Sequence, residues 1–271
     1  VRREKCGGCG SPNLRQFLDL GETPLADGFP ASPDPDAQRW PLGAAVCEAC
    51  WLVQLTEVVP DDVLWGGDYG FYTGSSPSSL AYFEAYARDL FDRHLKDRVH
   101  LDMPLVVEVA CNDGTMLAQF PDIVRALGVE PAKGPAEVAR ARGLDVIEAP
   151  FGREVAQGIV DTEGRADLVI ANNVVAHVAD LDDFLTGLRI LLADDGVLVV
   201  EVQYLGDLLL GNGFDLVYHE HRQFFSIATL ASCLFARDLP VRRVERTAAQ
   251  GGSLRMTAGW GARPSLQPLF D

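Results

Sequence analysis

From Pro104 onward, short runs of β-branched and apolar residues alternate with stretches of helical periodicity. That alternation predicts an α/β body, a parallel sheet covered by helices on both faces. Five runs read as buried strands: PLVVEV from Pro104, LGVE ending at Glu130, LDVIE ending at Glu148, DLVIA from Asp167 and GVLVVEV from Gly196. VRRVERT and SLRMTAG add a pair, which makes seven strands. Ahead of them, SLAYFEAYARDLFDRHL repeats Leu80, Phe83, Ala87 and Leu90 at helical spacing, with Ser78 or Ser79 as the N-cap. This segment is expected to be a helix crossing between two domains.

The apolar runs near 104–110 and 196–202 fall far short of the roughly 20 residues that a membrane helix requires. The opening VRREKCGGCG has no apolar core of a signal peptide. A cytosolic protein with no membrane contact is therefore expected. At 271 residues and 48% hydrophobic content, the chain can bury a full core and still carry a small appendage. Its net charge of −16, from 23 Lys and Arg against 39 Asp and Glu, opposes the phosphates of nucleic acid. The stretch Arg237 to Arg246 is basic but too short to offset that charge, so no nucleic-acid partner is expected.

Four of the six cysteines form two C-x-x-C pairs, Cys6/Cys9 and Cys47/Cys50, separated by a 37-residue insert. Two such knuckles can surround one zinc ion with four thiolates and leave no open position, which makes the site structural. A redox C-x-x-C would sit singly at a helix start within a thioredoxin-like βαβ unit, and no such unit surrounds either pair. Cys111 and Cys233 read as ordinary buried thiols. The insert is rich in Pro, Gly and Asp and predicts an irregular surface loop with at most one strand pair. After it comes GGDYGFYTGSSPSSL, a flexible composition that nevertheless holds Tyr69 and Tyr72.

Candidate chemistry falls in three places. EVACNDG (108–114) ends the first strand of the α/β body in an acidic, glycine-closed turn. ANNVVAH places Asn172, Asn173 and His177 after the fourth strand, at the carboxyl edge where open α/β sheets bind ligands. DLVYHEHRQFF (215–225) sets Tyr218, His219, Glu220 and His221 side by side. An imidazole beside a carboxylate suits proton transfer near neutral pH. The turn alone would serve NAD almost as well, but there is no G-x-G-x-x-G run and the strand count is full.

Seven strands in this order, with acids ending the first two, resemble the class I S-adenosylmethionine (SAM)-dependent methyltransferases. Together with CGGC, CEAC, EVQYL (201–205), FDLVYHEHRQFFS (214–226) and QGGSLR (250–255), the chain resembles the nucleotide-sugar C-methyltransferases that build branched deoxysugars in antibiotic and other natural-product pathways. The likeness runs from Cys6 to about Arg255. It implies a zinc-binding domain with a Tyr/Ser-rich lead-in at 1–76, a connecting helix at 77–103, a Rossmann-like methyltransferase domain at 104–260 and a tail at 261–271. It implies structural zinc on Cys6, Cys9, Cys47 and Cys50. It implies SAM against Glu108, Ala110, Asn112, Asp113, Gly114, Glu130, Pro131, Phe151, Asn172 and Asn173, with Glu130 accepting the ribose hydroxyls.

The acceptor implied is a nucleotide-linked sugar with a ketone at C4. His221 removes the C3 proton, Glu220 orients or tunes it, and Tyr218, His177, Tyr72 or Tyr69 donate to the enolate oxygen. Ala110 replaces the first glycine of the family's turn, and Gln250 replaces the histidine of HGGSLR and cannot titrate near neutral pH. The family continues with a carboxyl-terminal domain beyond the point at which this sequence stops. A fragment, a partner chain or homodimer, or a natural short form are the expectations that follow. Two other readings keep the residues: another small acceptor or a repurposed cyclase or isomerase, and a zinc-ribbon adaptor.

Overall fold

The computed structural model describes residues 1–26, 32, 34–65, 69–99 and 103–260. The expected tail at 261–271 lies outside them, as do parts of the cysteine insert and of GGDYG. The amino-terminal region forms a small antiparallel sheet in which β1 (Leu14–Pro24) pairs with β2 (Arg39–Cys47), and β2 pairs with β3 (Val53–Leu55). The described part of the insert is thus mainly the one strand pair allowed for it. Its β1 remains largely exposed, while β2 buries Leu42, Ala44, Ala45 and Cys47.

A short helix α1 (Asp61–Leu64) precedes α2 (Pro77–Leu90). Ser76 caps α2, its side chain accepting from the Ser79 amide, with proline at the first turn. The cap therefore falls two residues earlier than Ser78, because Pro77 suits the first helical position and Ser79 supplies the amide that is bonded. The buried stripe also differs. Tyr86, Ala87 and Leu90 are buried, whereas Leu80 is exposed. These residues pack on Val106, Leu168 and Ile170, so α2 covers one face of the large sheet and is part of that domain's core. Truncating Leu90 in such a setting costs about 3 kcal/mol.

The large sheet contains β4 (Leu105–Val109), β5 (Arg125–Val129), α3 (Lys133–Ala141), β6 (Asp145–Ile147), α4 (Arg153–Glu163), β7 (Ala166–Asn172), α5 (Leu181–Leu191) and β8 (Leu192–Gln203) as alternating strands and helices. Then come α6 (Leu205–Leu210), β9 (Gln223–Phe224), α7 (Ile227–Phe235), β10 (Val241–Thr247) and β11 (Ser253–Ala258). The seven-stranded order is β10-β11-β8-β7-β4-β5-β6, parallel except that β11 runs antiparallel to both neighbours. Successive residues of the buried strands face opposite layers. Val107, Val169 and Ala171 pack with α4, α5 and α7, while Val106, Leu168 and Ile170 pack with α2.

The two sheets are joined by the segment that follows YHEH. β9 adds to the edge of β3, pairing Phe224 with Val53 and Gln223 with Gln54. On its other side, Leu205 N donates to Phe225 O at 2.9 Å and Gln223 N to Ala176 O at 3.1 Å. The fully buried Arg222 donates to His177 O at 2.9 Å and Val59 O at 2.6 Å, and pairs with Asp61 at 2.6 Å. Such a buried cation is tolerated because carbonyls and a carboxylate replace its water.

Candidate active site

The carboxyl ends of β7 and β8 meet the YHEH segment around a cavity of about 230 Å³. Its walls are Tyr69, Phe71 and Thr73, then Ser79 and Phe83 of α2, Asn173 and His177 after β7, and Tyr218, Glu220 and His221, with Gln250 at the rim. Residues as far apart as Tyr69 and Gln250 are thus brought around one cavity. Tyr72 does not line it. The Tyr72 hydroxyl lies 2.8 Å from where a methyl on Gly134 would sit, against the start of α3.

His221 is held in a defined tautomer. Its Nδ1 lies 2.8 Å from the Leu216 carbonyl, which can only accept, so Nδ1 carries the proton. Nε2, 3.2 Å from the Tyr218 hydroxyl, then bears the lone pair that a base requires. The contact on Nδ1 comes from a backbone carbonyl. Glu220 is buried and faces the same cavity.

The His177 ring lies 4.9 Å from that of His221 and 5.8 Å from Trp65. Desolvation, then the neighbouring His221 and Arg222 charges, push its pKa down to about 3, against a hydrogen bond with the Glu220 backbone. His177 is therefore a neutral imidazole at any working pH, and its buried Nδ1 has no partner. His219 points away, its Nε2 3.2 Å from the Trp40 carbonyl in β2, and ties the loop to the small sheet.

The turn after β4 is the donor-side candidate. Gly114 has φ 72, and a side chain there would overlap Leu144, so glycine is required. Ala110 sits at φ 58, where glycine would be unstrained. Alanine there does more than fill space, since it holds a left-handed turn at a cost of about 1 kcal/mol. Glu130 accepts from Asn112 N at 2.9 Å and Ala132 N at 2.8 Å, with burial raising its pKa. Glu108 is buried with one oxygen unpartnered. Desolvation, with Asp113 and Glu130 nearby, raises it to about 8 despite the Leu117 amide.

Asn112 and Asp113 bond the 71–74 backbone. Asn172 accepts from the Tyr86 hydroxyl at 3.2 Å, and its amide lies 3.1 Å from Met116 Sδ. Asn173, at φ 51, lines the acid/base cavity with a buried, unpaired Oδ1. Phe151 stacks edge-on against Phe184 at 5.4 Å. Pro131 is exposed immediately after Glu130.

Several contributors escaped the sequence reading. A carbonyl such as that of Leu216 has no sequence signature. Arg222 did carry a signal, as a lone cation between YHEH and an apolar pair. Tyr82 and Tyr86 stand four apart on α2. Tyr82 donates to Glu201 at 2.7 Å, and Arg255 bonds both, at 2.9 Å to Glu201 and 2.8 Å to Tyr82. This network pins α2 to β8 and β11.

At the metal centre, the sulfurs of Cys6, Cys9, Cys47 and Cys50 all lie within 4.8 Å of one another, with pairs at 3.5 and 3.7 Å. Zn–S bonds of about 2.3 Å at tetrahedral angles place sulfurs about 3.8 Å apart, a spacing near that of the two closest pairs, so the four thiols suit a zinc ion. Cys111 and Cys233 are buried and unpaired with other cysteines. Among the described residues no helix is long and apolar enough to cross a membrane.

A family profile described as "Putative zinc binding domain" matches residues 6–65, and one described as "Methyltransferase domain" matches residues 81–244. The second spans more than half of the chain, which belongs to that methyltransferase family. The chain is 35% identical over 275 residues to the C-methyltransferase NovU of Streptomyces niveus, covering 98% of this chain and 64% of that relative, so it spans less than two thirds of the relative's length. A ubiquinone biosynthesis O-methyltransferase of Azorhizobium caulinodans is 26% identical over 121 residues, 42% of this chain and 48% of that one. Among solved structures, the magnesium protoporphyrin IX methyltransferase (ChlM) from Synechocystis PCC 6803 with bound SAH superposes with a TM-score of 0.52 at 13% identity, covering 72% of this chain and 91% of that one. The CurJ carbon methyltransferase gives 0.52 at 14%, covering 69% and 56%. The fold is that of the class I methyltransferases.

Proposed function

We propose that the chain is a SAM-dependent C-methyltransferase acting on a carbon beside a ketone, with a 4-keto deoxysugar nucleotide as acceptor and antibiotic-type deoxysugar assembly as its setting. The observation that carries this reading is the cavity in which His221 Nε2 bears its lone pair beside neutral His177 and Tyr218. SAM, when bound along the turn after β4, supplies an electrophilic sulfonium methyl. Glu108, Gly114 and Glu130 are the residues of this chain that would flank it, and Asn172 and Asn173 stand at the end of the neighbouring β7.

His221 Nε2 takes the proton α to the ketone, and the C–H electron pair becomes the enolate. Tyr218 or His177 stabilises the enolate oxygen by donation. With SAM bound, that carbon would take the sulfonium methyl as its bond to sulfur breaks, and His221 would release its proton to solvent. The four-cysteine centre takes no part in that chemistry and holds the small sheet on which YHEH is anchored.

Titration calorimetry with SAM, then mass spectrometry of 4-keto-6-deoxyhexose nucleotides for one methyl gained in place of hydrogen, tests the reading. His221→Asn should lower kcat about a thousandfold with SAM affinity unchanged. Wild-type turnover by that variant would remove His221 as the base, and no methyl gain on any acceptor would overturn the substrate class.

A further inference from the structure

Asn112 and Asp113 belong to the donor-side turn by sequence, yet their side chains hold another segment. Asn112 Oδ1 accepts from Thr73 N at 2.9 Å, and its Nδ2 donates to Phe71 O at 3.0 Å. Asp113 Oδ2 accepts from Gly74 N at 3.1 Å, while Oδ1 accepts from Thr115 N and Oγ1 at 3.2 and 2.7 Å. Behind them, Arg142 at the end of α3 donates to Thr115 Oγ1 at 2.8 Å and Asp113 Oδ2 at 3.2 Å. Asn112, Asp113 and Thr115 are all buried. A methyl on Gly74 would overlap Thr115 Oγ1 and approach Asp113 Oδ2 to 2.9 Å, so the fit admits only glycine.

We propose that Arg142, through Thr115 and Asp113, and Asn112 are positioning residues that latch the 71–74 strap and thereby set one wall of the acceptor cavity. Phe71 and Thr73 lie in the latched strap, and Tyr69 stands two residues before Phe71; all three line that cavity. Arg142 does not line it. Among the described hydrogen bonds the strap has one other side-chain tether, Ser79 Oγ donating to the Thr73 carbonyl at 2.6 Å, and that tether joins it to α2 rather than to the turn. The turn that faces the donor thus also shapes the acceptor site, and acceptor recognition depends on a cation at the far end of α3.

The inference rests on the proposed reaction only in its acceptor readout. The test compares wild type with Arg142→Ala, Arg142→Lys and Asn112→Asp in the full chain. Asn112→Asp keeps the Thr73 bond but sets a carboxylate oxygen against the Phe71 carbonyl. Hydrogen exchange of peptides covering 69–75 should be about tenfold faster in Arg142→Ala and Asn112→Asp and partly restored in Arg142→Lys. The KM for the 4-keto-6-deoxyhexose nucleotide that wild type methylates should rise about tenfold in Arg142→Ala, with kcat and the SAM Kd each within about threefold. Unchanged strap exchange would overturn the latch. A SAM Kd raised tenfold with an unchanged acceptor KM would instead assign these side chains to the donor. Should wild type methylate none of these nucleotides, the proposed function fails, and the exchange measurement still decides the latch.

Discussion

Between Glu108 and Glu130 the donor-side turn is a local construction: a strand end, a tight left-handed turn and the next strand end, closed by the Asn112 amide on Glu130 at 2.9 Å. The cavity beside it takes its walls from residues as far apart as Tyr69 and Gln250, among them the YHEH loop that runs into β9. Only the first can form from the α/β body alone. The second requires β9 to pair with β3 and Arg222 to bridge Val59 and His177. The small cysteine domain therefore does its work at a distance, as the edge on which the YHEH loop is hung.

Removing that edge should separate the two regions most sharply. Stripping zinc with a chelator, or Cys47→Ala, should unfold the small sheet and reduce methyl transfer below detection, because metal binding of this kind supplies folding free energy. SAM affinity and the circular dichroism of the large sheet should change little. Loss of SAM binding together with transfer would show that the regions are not separable.

Arg222→Met should act next in size. It leaves the His177 and Val59 carbonyls unpaired in the interior and costs about 3 kcal/mol, read as a lowered urea midpoint. Its kcat should fall more than its SAM affinity does. A variant as stable as wild type would mean that the side chain is dispensable to the joint.

The smallest effect belongs to the donor side. Glu108, raised to about 8 in the folded protein, holds its proton through a range in which the unfolded chain has lost it. The folded state then binds more protons, so stability without ligand falls as pH rises from the ordinary carboxylate range toward 8. Glu108→Gln should match wild type near pH 5 and melt progressively higher than it up to pH 8. Parallel melting curves at all pH values would show that Glu108 ionises freely.

The strands of the large sheet, the two cysteine knuckles and the YHEH cluster were legible because each is written in local periodicity or spacing. Ser76 was passed over as the α2 cap because four serines flank Pro77, and only the bonded amide chooses among them. Tyr72 was grouped with the enolate donors from the family resemblance, whereas its hydroxyl lies beside Gly134 and outside the cavity lining. Asn112 and Asp113 were read toward the donor from their place in the turn, whereas their side chains meet Thr73, Phe71 and Gly74.

What the sequence by itself determined is therefore the set of parts: a seven-stranded body, a four-thiol centre, and a Tyr/His/Glu cluster, each encoded by residues close along the chain. Tertiary structure alone decided which nitrogen of His221 is basic, which region carries the cavity's walls, and what Arg142 and Arg222 hold. Those choices depend on hydrogen bonds between segments far apart in the chain, whose partners are often backbone carbonyls identical at every position until folding orients them.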